Sequence, residues 1–78
     1  MLAYNLICDS ADKVVYAYYP EGKGAEGVVA IEKHTCTCSI EIESSDDECR
    51  VYTMKMCSAL RQFAHENDYK QSGMIAWY

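Results

Sequence analysis

Two cysteines and a histidine at alternate positions, His34, Cys36 and Cys38, are the residues best suited to bind a metal ion. Thiolate and imidazole groups are good zinc ligands, and alternate residues of a β-strand point to the same face. A structural zinc site needs four ligands, and the other cysteines are isolated, with no Cys-x-x-Cys pair. Because a buried free cysteine commonly serves as a small apolar residue, these three are weak candidates and we expect no metal.

The spacing of the remaining reactive residues does not favour catalysis. Cys57 and His65 lie on one predicted helix, about 12 Å apart along its axis, so they cannot hydrogen-bond to each other. Gly22-x-Gly24-x-x-Gly27 has the spacing of a dinucleotide-binding loop, but β-branched residues follow it where that loop requires a helix. We therefore predict no catalytic residue, no cofactor and no enzymatic activity.

The charge pattern argues against binding to nucleic acid. The net charge is −5, and the seven Lys and Arg residues are scattered singly along the chain. Binding to a phosphate backbone requires clustered positive charge. The five acids between Glu41 and Glu48 could instead imitate nucleic acid, but a solvated strand followed by a helix N-terminus is the more common explanation of such a segment.

Cysteine usage and hydropathy predict the compartment. The chain has five cysteines, an odd number, and its first residues carry no basic segment before an apolar one, as a secretory signal would. No apolar run approaches the roughly 20 residues of a membrane span. We expect a small acidic cytoplasmic protein with no membrane partner and with all five thiols reduced.

Residues 1–78 are short enough to form one domain, and their apolar periodicity predicts its elements. β-Branched and aromatic runs predict strands at 14–19, 28–33 and 37–43, with a short final strand at 74–78. Residues 2–8 could be a further strand or an ordered arm. The second and third of the four predicted strands should form an antiparallel hairpin, and the fourth could lie parallel beside the first, giving the order 3-2-1-4.

A single helix is predicted between the acidic segment and Asn67, and it should begin near Ser44. Its spacing places one set of residues on a single face, namely Cys49, Thr53, Met56, Cys57, Leu60, Phe63 and Ala64. The fold class is therefore α+β, a three- or four-stranded mainly antiparallel sheet with one helix packed on one face. The other face should be solvated, because the third predicted strand would present to it Thr37, Ser39, Glu41 and Glu43.

Tyrosine is more abundant than a core of this size needs. The chain has seven tyrosines and one tryptophan, and some of these side chains should reach the surface, where aromatic residues are enriched in protein interfaces. If the first and last predicted strands are neighbours, an aromatic patch would combine four side chains, Tyr16, Tyr18, Trp77 and Tyr78. Packing at the edge of the core explains the same residues about equally well.

Two segments, Tyr18-Tyr19-Pro20-Glu21-Gly22-Lys23-Gly24-x-x-Gly27 and Gly73-Met74-Ile75-Ala76-Trp77-Tyr78, resemble a family of short uncharacterised bacterial proteins that are often linked to mobile elements. The resemblance covers roughly residues 14–78 and implies a domain made of a sheet and a helix. Members tend to have Thr-Gly where this chain has Thr35-Cys36. The resemblance implies no activity and no functional residues.

These observations favour a non-enzymatic protein-interaction domain that binds another protein or a second copy of itself. Two alternatives come from other functional classes. The first is a small metal- or ligand-binding protein that uses His34, Cys36 and Cys38. The second is an acidic decoy that occupies a nucleic-acid-binding protein.

Overall fold

The computed structural model describes residues 2–22, 25–45 and 50–75. Within them the chain forms five strands and one helix, which confirms the α+β class, with more strands than the sequence predicts. The elements are β1 Leu2–Asp9, β2 Lys13–Pro20, β3 Gly27–Glu32, β4 Cys38–Ile42, α1 Val51–Glu66 and β5 Ser72–Ile75. No helix in this described part of the chain is long and apolar enough to cross a membrane.

The five strands form one antiparallel sheet in the order β4-β3-β2-β1-β5. The predicted hairpin of β3 and β4 is present, but the predicted contact between β2 and the last strand is wrong, because β1 lies between them. The short turn at residues 10–12 brings β1 back onto β2 at once, whereas the last strand returns to the sheet only after the whole of α1. Two bulges interrupt the ladders, one between Leu6 and Cys8 of β1 and one opposite Val28 and Val29 of β3.

The helix α1 packs on one face of the sheet with the predicted register. Its buried residues are Thr53, Met56, Leu60 and Phe63, all on the predicted stripe, while Val51 and Met54 are exposed. The helix begins later than predicted, after Arg50 in a left-handed conformation with φ of 57°. The acidic residues 46–48 and Cys49, which the sequence assigns to the helix start and the apolar stripe, lie outside the described residues.

Tyrosine rings fill much of the space between α1 and the sheet. Tyr4, Tyr16 and Phe63 form a group with ring centroids 5.7–5.9 Å apart, close enough for favourable edge contacts. Two of the tyrosines lie over glycines of the neighbouring strand, since Tyr18 pairs with Gly27 and Tyr4 with Gly73. A Cβ atom at Gly27 would lie 2.2 Å from Cζ of Tyr18. Glycine is therefore required beneath this ring.

Candidate functional site: the helix-free face of the sheet

The three weak metal candidates do not form a group in this structure. His34 and Cys36 lie in the connection before β4, where Cys36 has a left-handed φ of 57°. The alternation predicted for positions 34, 36 and 38 therefore fails, because the strand begins only at Cys38. Among the described residues, no three His, Cys, Asp or Glu side chains are grouped to hold a metal ion.

Cys38 is joined by a disulfide bond to Cys57, which ties β4 to the sheet-facing side of α1. Their Cα atoms are 5.9 Å apart, a usual separation for a bridged pair. The prediction that all five cysteines are free is therefore wrong for these two. Cys8 and Cys36 are free and exposed, so the prediction that Cys36 and Cys38 are not bonded to each other is confirmed.

Tyr16 and Tyr18 do not contribute to a surface patch, because both are completely buried against α1. The Tyr16 hydroxyl donates to the backbone carbonyl of Lys70 at 2.6 Å, and the hydroxyls of Tyr18 and Thr53 are hydrogen-bonded at 2.7 Å. Burial raises the pKa of Tyr16, so its hydroxyl stays protonated at neutral pH. The structure corrects the predicted role of these two side chains from the surface to the core. Residues 76–78, with Trp77 and Tyr78, lie outside the described residues.

The surface that most resembles a binding site is the side of the sheet opposite α1, which we call the helix-free face. Cross-strand pairing arranges its side chains in three rows, since residues directly opposite each other share a face. The first row is Met74, Ala3 and Tyr19; the second is Ser72, Asn5, Ala17, Val28 and Ile42; the third is Cys8, Val15, Ala30 and Ser39.

The centre of this face is closely packed, and its margins are exposed. Ala17 and Ala30 are 3% and 2% exposed, although the helix lies on the other side of the sheet. At the margins Ile42 and Met74 are 56% and 57% exposed. Apolar groups therefore occupy both the centre and the margins of the face.

Charged groups lie at the edges of this face. Lys13 and Glu32 pair beyond the third row, and the Lys13 ammonium lies 3.8 Å from the Glu41 carboxylate. At the opposite end the Tyr19 hydroxyl donates to Glu26 at 3.0 Å, and this hydrogen bond is the main cause of a raised pKa of Tyr19. None of the twelve residues in the three rows is charged at neutral pH.

The expectation of a solvated second face is correct for part of one edge strand and wrong for the sheet as a whole. Ser39 and Glu41 of β4 are exposed as predicted. The bulge in β4 brings Ile42 opposite Val28, and the central strands β2 and β3 are apolar on both sides. Sequence reasoning missed this, although the uninterrupted apolar runs at 14–20 and 27–31 are typical of strands covered on both faces.

Comparison with known proteins found no relative: no family model, no curated protein and no solved structure matches the chain. The resemblance to short bacterial proteins stays a prediction. The structure does explain three of the residues that carry it. Tyr18 and Gly27 pack on each other across two strands, and Gly73 lies beneath Tyr4, so these positions support the fold.

Proposed function

We propose that this chain is a non-enzymatic protein-interaction domain that binds its partner with the helix-free face. The observation that carries the proposal is that β2 and β3 are apolar on both sides while the single described helix covers one side. Strands of this kind normally lie between two layers. The described residues supply no second layer on the helix-free face, and a partner would provide it.

The chemistry of the face supports a protein rather than a nucleic acid as partner. Lys13 is the one basic side chain among the described residues placed on this face, and it lies at the end of the rows beside Glu41. A phosphate backbone would find no cluster of positive charge there. An apolar protein surface would find side chains of the same apolar character at the centre and at the margins of this face.

Two finer predictions belong to the same proposal. Trp77 and Tyr78 follow β5, and we propose that they add aromatic contacts at the margin of the interface. We retain the cytoplasm as the proposed location, but the disulfide between Cys38 and Cys57 is typical of an oxidising compartment. Thiol titration of freshly isolated protein distinguishes the two compartments.

Affinity capture from the host cell with matched variants tests the interaction domain. Met74→Glu places a carboxylate on the exposed margin of the helix-free face, and Ser58→Glu places the same group on the exposed side of α1. We expect proteins captured by the wild type to be lost with Met74→Glu and retained with Ser58→Glu. Equal capture by both variants would show that the helix-free face is not the binding surface.

A further inference from the structure

We infer that the disulfide bond between Cys38 and Cys57 is a reversible redox switch at one edge of the sheet. In the oxidised chain it fastens the edge strand β4 to α1. In the reduced chain β4 opens away from β3, while the other four strands and the helix stay folded. The opening itself does not depend on the proposed function, whereas its effect on partner binding rests on that function.

β4 is the least buried strand of the sheet. It lies at the edge and pairs with β3 alone. Its first residue, Cys38, is partly buried and the following four are exposed. A bulge opposite Val28 and Val29 interrupts its ladder. Because elements with exposed backbone hydrogen bonds and few buried side chains open at a lower free energy than the core does, β4 is the strand suited to open by itself.

Cys38 is also the point at which β4 reaches the core. It packs against a cluster of buried side chains that come from α1 and from strands β1, β2 and β3. No completely buried side chain of that cluster belongs to β4. Opening of β4 therefore leaves the cluster in place, and the rest of the fold keeps its main source of stability.

The other side-chain links at this edge are two exposed ion pairs. The Lys13 ammonium lies 3.8 Å from the Glu41 carboxylate of β4. Arg50 lies 2.9 Å from Glu43, which follows the strand. All four side chains are between 45% and 60% exposed, and ion pairs of this kind contribute little to stability. The disulfide is therefore the strong link between β4 and α1.

The bridge can be reached by a thiol, because Cys38 and Cys57 are both partly exposed. One thiolate of a dithiol attacks a sulfur of the bridge and forms a mixed disulfide, and the other cysteine leaves as a thiolate that takes up a proton. The second thiol of the reductant then displaces the remaining cysteine, so the dithiol is oxidised to a disulfide by two electrons and both cysteines become thiols. Disulfides that form in the cytoplasm, the location that we propose, are typically transient and redox-sensing.

Hydrogen exchange of the full chain, measured by NMR with and without dithiothreitol, tests the switch. We expect reduction to raise the ratio of the exchange rates of β4 amides to those of β2 amides at least about tenfold. The ratio is required because loss of the bridge also favours global unfolding. The same ratio for β5, the other edge strand, should not rise. Global unfolding of the reduced chain, or an unchanged ratio for β4, would overturn the inference.

Variants separate the effect of the bond from other effects of the reductant. The double variant Cys38→Ser and Cys57→Ser should show the raised ratio without dithiothreitol. Cys36→Ser, which replaces a free and exposed cysteine, should keep the response of the wild type. Oxidised dithiothreitol added to the reduced wild type should restore the bond between Cys38 and Cys57, identified by mass spectrometry of its peptides. Pairing of either residue with another cysteine would contradict a reversible switch.

Opening of β4 would also remove Ile42 from the margin of the helix-free face. We therefore expect the double variant to capture less host protein than Cys36→Ser does. A raised exchange ratio with unchanged capture would contradict redox control of binding and leave the opening of β4 standing. If Met74→Glu abolishes capture but the ratio does not respond to reductant, the interaction domain stands and the switch is wrong.

Discussion

The covered face and the helix-free face of the same five strands are built from side chains of different size. The covered face carries large rings and branched chains, including Tyr4, Tyr16 and Tyr18, and the hydroxyl groups of Tyr16 and Tyr18 find partners in or near the helix layer. The helix-free face carries alanines and valines at its centre. The difference shows that large side chains fill the space beneath the helix, whereas small side chains predominate at the centre of the face for which we propose a partner.

The largest expected difference between the two faces is their contribution to stability. Leu60→Ala removes a completely buried side chain from the helix layer and should lower the free energy of unfolding by about 2–5 kcal/mol, because it opens a cavity. Ile42→Ala removes a similar volume from the helix-free face, where the side chain is largely exposed. Its effect should stay below about 1 kcal/mol in the monomer. Urea denaturation at low protein concentration measures both, and equal losses would contradict the assignment of faces.

The disulfide bond lies on the covered side of the sheet, between β4 and α1. It joins residues 19 positions apart, and a closed loop of this length contributes about 3 kcal/mol by restricting the unfolded chain. Reduction, or the variant Cys57→Ser, should therefore lower the denaturation midpoint. Cys36→Ser is the control, since this free, exposed cysteine should leave the effect of reductant unchanged. A midpoint that does not respond to reductant would show that Cys38 and Cys57 are not bonded in solution.

Gly27→Ala tests how closely β3 approaches the tyrosine layer. The added Cβ would overlap the Tyr18 ring and force it away from Thr53, at a cost of about 1–3 kcal/mol. Combining it with Tyr18→Leu should give a loss smaller than the sum of the two single losses, because the clash is then absent. Ser72→Ala, an exposed change in β5, is the control for an alteration outside the core. Additive losses would exclude the close contact.

The smallest expected effect is on the pH dependence of stability. The pKa of Tyr16 is raised by burial in the folded chain, so above pH 10 the unfolded chain releases this proton more readily than the folded chain does. Stability should therefore be complete below about pH 10 and fall as the pH rises beyond it. Tyr16→Phe should lose about 1 kcal/mol at neutral pH with its hydrogen bond and show a shallower decline at alkaline pH. Gln62→Ala should keep the steeper decline of the wild type.

Local patterns in the sequence were sufficient to predict α1 and every strand except β1, because each of these elements is determined by neighbouring residues. The stripe of Met56, Leu60 and Phe63 predicts the buried side of α1, and the hairpin of β3 and β4 follows from a short connection. The position of β1 could not be predicted in the same way. Residues 2–8 lack a strict alternation, so only the pairing with β2 shows that they form a strand.

The apolar character of the helix-free face could not be predicted for a different reason. The alternating segment 36–43 is the clearest pattern in the sequence, but β4 within it is an edge strand. Its polar side chains therefore describe one margin of the helix-free face and not the centre. The bulge that brings Ile42 opposite Val28 depends on pairing with β3, which alternation within β4 does not reveal. The disulfide was equally inaccessible, because Cys38 and Cys57 are brought together by packing of the helix on the sheet.

A tyrosine ring lying directly over a glycine restricts the order in which the two positions can change during evolution. Any side chain at Gly27 first requires a smaller residue at Tyr18, and loss of the Tyr18 ring first would uncover the backbone of β3 and leave Thr53 without this partner. Neither substitution is tolerated easily as the first step. Positions 18 and 27 should therefore be inherited as a pair, and divergent relatives would be recognised by the joint presence of the ring and the glycine.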